Sequence, residues 1–280
     1  MRYEIIEPPK VLQKYVRYIS TLDYERHAYS TSQIKVFADR YPHLVFQHNE
    51  GRSAFYKDGQ ALPSTFISGI KTKPYTCDVH NTHSATNITF YPHAIKTLFG
   101  IDTYELNDEL PEIQNFAPKY LSEQLLNTES HSQRILILTD FLIKKLANVK
   151  SEDLLANESM RLVSIHDENT LALLSKHFKV SERQLERRFK STIGFSPKQF
   201  LRATRFEKAL RLIGENKFEN LSDIAYHLNF TDQSHFIKDF KEFSGFTPKA
   251  FISQNKALES SSPSLIPEDG KITLNHLITY

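Results

Sequence analysis

The chain has 280 residues, of which 40% are hydrophobic and 24% charged, so two folded domains of roughly 150 residues each are expected and global disorder is excluded. A single cysteine, Cys77, excludes an intrachain disulfide and any zinc site built from several thiolates. The net charge of +2 is unevenly spread, at −2 over residues 1–160, +6 over 161–256 and −2 over 257–280, which points to a polyanion-binding module in the basic block, with simple solubility as the alternative.

The opening MRYEIIEPPK holds no apolar signal core, and no apolar run approaches the ~20 residues of a membrane helix. A cytoplasmic protein without a membrane partner is expected. VFADRYPHLVFQH and TNITFYP are thick with β-branched and aromatic residues, and Lys57-Asp58-Gly59-Gln60 carries a hairpin-like Asp-Gly pair. Residues 1–128 therefore read as a β-rich regulatory or sensor domain. Phe37, Phe46, Phe66 and Phe90 either line an apolar pocket there or form its core. His80-x-x-His83 with Asp78, completed by His43, His48 or His93, would be the material for a metal site, but twelve histidines make such pairs common by chance and no metal is expected. Cys77 reads as a buried thiol, with a redox sensor as the alternative.

A helical pattern begins beyond Pro118. Ser130-x-x-Gln133 is a capping-box signal, and Ile135, Leu138, Leu142 and Leu146 follow at steps of three and four. Leu136, Ile137, Phe141 and Ile143 widen that stripe. Residues 129–160 are thus a helical connector, simply buried or used as a dimerisation contact.

The basic block contains an internal repeat. LALLSKHF at 171–178 matches LSDIAYHL at 221–228 with an offset of 50. Phe189-Lys190, Gly194-Phe195, Pro197-Lys198 and Phe200 match Phe240-Lys241, Gly245-Phe246, Pro248-Lys249 and Phe251 with an offset of 51. Each copy parses as helix, tight turn, helix. In the first, Asn169 or Thr170 caps the leading helix, Lys179-Val180 turns, and Ser181 with Gln184 forms a capping box. In the second, Asn220 caps the leading helix, Asn229 takes a left-handed turn and Thr231 caps the next helix. Gly194 and Gly245 are expected to end the second helix of each unit in a left-handed conformation, and Ser196-Pro197 and Thr247-Pro248 to restart a helix. Between the units, Phe200, Ala203, Phe206, Leu210 and Ile213 predict one linker helix ended by Gly214. The polar stretch after it, 257–280, reads as a flexible tail, with KITLNHLITY a short strand at most.

VSERQLERRFKSTIGFSPKQFLRATRFEKAL and LSDIAYHLNFTDQSHFIKDFKEFSGFTPKAF resemble the DNA-binding domain of the AraC family of bacterial transcription regulators. The resemblance covers residues ~167–252 and places the domain at 161–256. It implies an α+β two-domain fold, the β-rich amino-terminal domain and its connector being followed by an all-α domain of two helix-turn-helix units on a linker helix, binding adjacent major-groove segments of double-stranded DNA. Lys179 and Asn229 stand where the family favours Gly in the turns, and Ser175 replaces a usual small Ala.

The family's base-reading positions fall on Arg183, Glu186 and Arg187 in the first unit and on Gln233, Ser234, Ile237 and Lys238 in the second. Arg187 suits guanine O6 and N7, and Gln233 suits adenine. Glu186 suits cytosine N4 or orients Arg183, and Ile237 suits a thymine methyl or packs against Phe206. Arg188, Lys190, Lys198, Arg202, Arg205 and Lys249 are phosphate candidates, Arg205 alternatively pinning the linker helix through an ion pair. The resemblance further implies a small-molecule effector or a homodimer controlling the protein, and RNA polymerase as a partner of an activator. An effector-independent repressor or architectural protein is the alternative. No Gly-x-Gly-x-x-Gly, P-loop, His-Glu-x-x-His or Gly-x-Ser-x-Gly is present, so neither enzyme chemistry nor a cofactor is expected. DNA-repair proteins with a similar module need a cysteine cluster that this chain lacks.

Overall fold

A computed structural model describes residues 2–24, 31–80, 82–150, 153, 158, 170–253 and 278–279. The β-rich reading of the amino-terminal region is correct. Strands β1 (Arg2–Ile6), β2 (Val16–Tyr24), β4 (His43–His48), β7 (Thr65–Ser68) and β9 (His83–Phe90) make one antiparallel sheet in the order β1-β2-β9-β4-β7. A second sheet runs β10-β3-β8-β5-β6, with β3 at Thr31–Val36, β5 at Phe55–Lys57, β6 at Gln60–Ala61 and β8 at Tyr75–His80. The Asp-Gly turn joins β5 to β6 as expected, with both central residues at positive φ (Asp58 51°, Gly59 76°). Most of the 257–280 tail lies outside the described residues, but Ile278–Thr279 (β10) pairs with Ile34 and Lys35 of β3.

Alternation along the strands decides where the core lies. On the first sheet Ile19, Leu44, Phe46, Ile67, Ile88 and Phe90 are fully buried. They meet helix α1 (Ala94–Phe99), α2 (Tyr120–Leu126) and α3 (His131–Ala147) through Ile95, Leu121, Leu125, Leu138 and Leu142. Ser130 caps α3 by accepting from the Gln133 N–H at 3.3 Å. Its apolar stripe is split: Leu138, Phe141 and Leu142 are buried, whereas Leu136 is 67% exposed and Ile143 also faces out. Phe46 and Phe90 are therefore core residues. Three of the side chains weighed as metal ligands are engaged elsewhere. His43 bonds Asp39 and Thr89, His83 bonds the His80 carbonyl, and Asp78 accepts from Gln33. Cys77 is buried, and burial pushes its thiol up to about 12, which keeps it in the unreactive thiol form.

The carboxy-terminal block is helical: α4 (Thr170–Phe178), α5 (Glu182–Ile193), α6 (Pro197–Gly214), α7 (Leu221–His227) and α8 (Gln233–Ser244). Residue 169 lies outside the described residues, so Asn169 as a cap does too. Among the described residues no helix is long and apolar enough to cross a membrane.

Candidate nucleic-acid interface

Each repeat folds as a helix-turn-helix unit around its own core. In the first, Leu174, Leu185, Phe189, Ile193, Phe195 and Phe200 pack together. In the second, Phe206, Leu210, Ile224, Leu228, Phe236, Phe240 and Phe251 do so. α6 contributes to both cores, Phe200 and Ala203 to one and Phe206, Ala209, Leu210 and Ile213 to the other. Its 18 residues give a rod of roughly 27 Å.

The caps explain why the boundaries fall where they do. Ser181 and Gln184 form the expected capping box on α5, and Ser196 with Gln199 forms another on α6, with Pro197 in the first turn. Asn220 does the same for α7 with Asp223. The cap of α8 is Asp232 rather than Thr231. Asp232 is the residue in extended backbone, at φ −160°, and its carboxylate accepts from the His235 N–H at 2.8 Å. Gly194 (φ 90°) and Gly245 (φ 77°) are the left-handed caps that the repeat predicted. Lys179 and Asn229 are also left-handed, at φ 52° and 54°, so the first turn holds a lysine where the backbone favours glycine. α6 ends at Gly214, as its sequence predicts. Glu215 is the cap, and Asn216 at φ 51° turns the chain.

The offset of 51 places the base-reading candidates in matching positions. Arg183 and Ser234 are the second residues of α5 and α8, Glu186 and Ile237 the fifth, and Arg187 and Lys238 the sixth. Arg183, Glu186, Arg187, Gln233, Ser234 and Lys238 are all exposed. Ile237 is half-buried against the second core, the packing alternative for that residue. Gln233 Oε1 accepts from Ser222 Oγ at 3.0 Å, which ties α7 to the start of α8.

The phosphate candidates divide. Lys198 and Lys249 are exposed in the first turns after Ser196 and Thr247. Lys190 is exposed and stands 5.4 Å from the ring of Tyr104. Arg188 makes a two-pronged contact with Asp153 at 2.8 and 3.2 Å. The structure gives Arg202 a different task from phosphate contact. Its guanidinium donates to Asp239 at 2.8 and 3.1 Å and to Glu242 at 2.7 Å, and the Asp239 bond raises its pKa above the ordinary arginine value. Arg202, one turn before Arg205, thus pins the linker helix to α8. Arg205 places its guanidinium 5.4 Å from the ring of Phe230.

One feature was missed from sequence. The amino-terminal domain packs onto the helical block through Phe37, which is fully buried among Phe206, Phe240 and Phe251, and through Ile70, which is fully buried in the first unit's core. A fully apolar loop residue between strands was its only signal.

Two repeated units with exposed, polar helix starts and buried cores on a shared rod define a double helix-turn-helix DNA-binding module. A helix-turn-helix domain family matches residues 174–254, and a domain of unknown function, DUF6597, matches residues 4–112. The HTH-type transcriptional activator RhaS of Escherichia coli O157:H7 is 31% identical over 83 residues, 30% of this chain and 30% of that protein. The transcriptional activator AggR of Escherichia coli is 35% identical over 89 residues, 31% of this chain and 32% of that protein. ToxT of Vibrio cholerae aligns in three dimensions with a TM-score of 0.43 and 12% identity, over 84% of this chain and 98% of that one. The similarity to RhaS and AggR is confined to this carboxy-terminal helix-turn-helix domain. The chain matches about a third of the length of RhaS and AggR.

Proposed function

We propose that the chain is a sequence-specific DNA-binding transcription regulator whose two units read adjacent major-groove segments. The observation that carries this is the coincidence of Arg183, Glu186 and Arg187 with Ser234, Ile237 and Lys238, turn for turn, at the starts of two helices whose opposite faces are buried. The first turn of a recognition helix is the part that reaches base edges, and its partly unsatisfied N–H groups favour the adjoining phosphates. Arg187 donates two hydrogen bonds to a guanine, and Gln233 pairs with an adenine. Glu186 takes cytosine N4 or orients Arg183. Lys198 and Lys249 meet phosphate, and Arg188 and Lys190 supply positive potential beside them.

Binding measured across single-base variants of a selected site tests this reading. Arg187→Ala costs about 1–3 kcal/mol at one base position and leaves the others intact. Lys198→Ala weakens all sequences alike and lowers the salt slope by about one. Uniform loss for Arg187→Ala would remove its base-reading role.

The regulatory half of the reading rests on the family resemblance and on the docking of the amino-terminal domain against both units. A small-molecule effector, pairing of two copies and, for an activator, contact with RNA polymerase are its partners. Thermal-shift screening of the full chain separates a sensor, which a metabolite stabilises reproducibly, from an effector-independent repressor.

A further inference from the structure

Among the described residues the two helix-turn-helix units have separate cores and are joined by α6. α6 is the element that belongs to both cores. The amino-terminal domain supplies a second connection, and it attaches at the same place in both copies of the repeat.

The matching points are the ends of α5 and α8. Thr192 and Phe243 are equivalent at the offset of 51. The Thr192 carbonyl accepts from Thr103 Oγ1 at 2.8 Å, and the Phe243 carbonyl accepts from the Ala38 N–H at 2.9 Å. Both are carbonyls of a helix's last turn, which lack a partner within the helix. Two residues on, the left-handed caps are covered as well. Asn107 Nδ2 donates to the Gly194 carbonyl at 2.8 Å, and a Cβ at Gly194 would lie 2.6 Å from Ile70. At Gly245 the space is filled by Lys35 and Pro74, and Lys35 Nζ lies 4.0 Å from the Phe246 ring. Each core then receives one large apolar residue from this domain, Ile70 in the first and Phe37 in the second. Asp102 accepts from Ser191 Oγ at 2.5 Å beside the first corner. Midway, Arg40 and Arg17 reach Glu207 of α6 at 2.7 and 3.3 Å.

The contacts at Thr192, Gly194, Phe243 and Gly245 hold the far ends of α5 and α8, and the Glu207 pairs hold the middle of α6. The starts, with Arg183, Glu186, Arg187, Gln233, Ser234 and Lys238, stay exposed. The grip therefore leaves the base-reading face accessible while constraining how one helix lies relative to the other.

We propose that the amino-terminal β domain is the element that fixes the spacing and phase of the two DNA contacts, by holding each helix-turn-helix unit at its equivalent corner. Thr103, Asn107 and Ile70 are positioning residues for the first recognition helix, and Phe37 and Lys35 for the second. This rests on the DNA-binding reading above and adds a determinant of specificity that touches no base. A rigidly spaced pair of contacts gains affinity from both segments only when their separation matches, because the second contact is then intramolecular.

The test uses the full chain. A bipartite site is selected from random DNA, and its two segments are then moved apart or together by one and two base pairs. The wild-type protein loses about tenfold or more in affinity at each altered spacing. Thr103→Val with Asn107→Ala loosens the first corner, and Phe37→Leu loosens the second without removing its apolar bulk. Each loosened protein binds DNA carrying one segment as the wild type does, but its loss on altered spacing falls to about threefold or less. A flat wild-type profile, or variants that keep the wild-type profile, overturns the proposal. Loss of single-segment binding in a variant overturns it too, since the corner would then be needed for folding rather than for placement. Selection of no site at all removes the DNA-binding reading itself, an outcome distinct from a selected site that ignores spacing.

Discussion

Lys179 is the residue at which sequence and backbone disagree most plainly. Its φ of 52° costs a lysine about 1–2 kcal/mol relative to glycine, offset in part by the greater freedom of glycine in the unfolded chain. Lys179→Gly is expected to stabilise the protein by up to about 1 kcal/mol, and Asn229→Gly by less, because asparagine tolerates this conformation. Urea midpoints rank the two, and an unchanged or lower midpoint for Lys179→Gly would contradict a strained first turn. Lys71 gives a residue-scale pH dependence. It is fully enclosed, its Nζ donating to the Glu109 carbonyl at 3.0 Å, and burial lowers its pKa to about 8 despite Asp108, Glu109 and Asp39, with Lys57 adding to the fall. Below pH 8 the folded protein carries the cost of a buried ammonium. Between pH 8 and the unfolded value near 10.5 the unfolded chain holds more protons, so stability rises with pH. Lys71→Met is therefore expected to gain stability relative to wild type at pH 7 and to lose most of that advantage by pH 10. A pH-independent difference in urea midpoint would rule this out.

At the scale of single elements, caps and pins decide the helical block. Ser181→Ala and Asp232→Ala each remove an acceptor for a helix N–H and are expected to cost about 1 kcal/mol by denaturant titration. Thr231→Ala, one residue away, should be nearly neutral; a larger loss there than at Asp232 would return the cap to Thr231. Arg202→Gln leaves the buried Asp239 carboxylate without its partner and is expected to destabilise by about 3 kcal/mol. Its salt slope on DNA should stay at the wild-type value, whereas a slope lower by about one would identify Arg202 as a phosphate contact. The local grammar of these elements was readable in the sequence. The capping box at Ser181, the cap at Asn220, the left-handed Gly194 and Gly245, and the Asp58-Gly59 turn all follow from neighbours within four residues. Thr231 and Asp232 are both good caps, and only the extended backbone of Asp232 chooses between them. That Arg202 meets Asp239 and Glu242 depends on how α8 packs against α6, which the local sequence does not give.

For the whole molecule, the repeat was the readable part and the domain contact was not. An offset of 51 with coincident Phe, Gly and Pro residues defines two copies of one unit. Nothing local marks Phe37 for a core that includes Phe251, or Ile70 for one built around Phe189, because those contacts span about 120 to more than 200 residues of chain. The base-reading set was readable only as positions on a helix, and its chemistry depends on the groove it faces. The central claim is that two equivalent helix starts read two neighbouring segments of one duplex. Selection from random DNA with the wild-type chain and with Arg187→Ala and Lys238→Ala tests it most directly. The account predicts a bipartite site with segments about 10 base pairs apart, Arg187→Ala relaxing a base in one segment and Lys238→Ala relaxing a base in the other. A single undivided site, or both substitutions relaxing the same base, would contradict it.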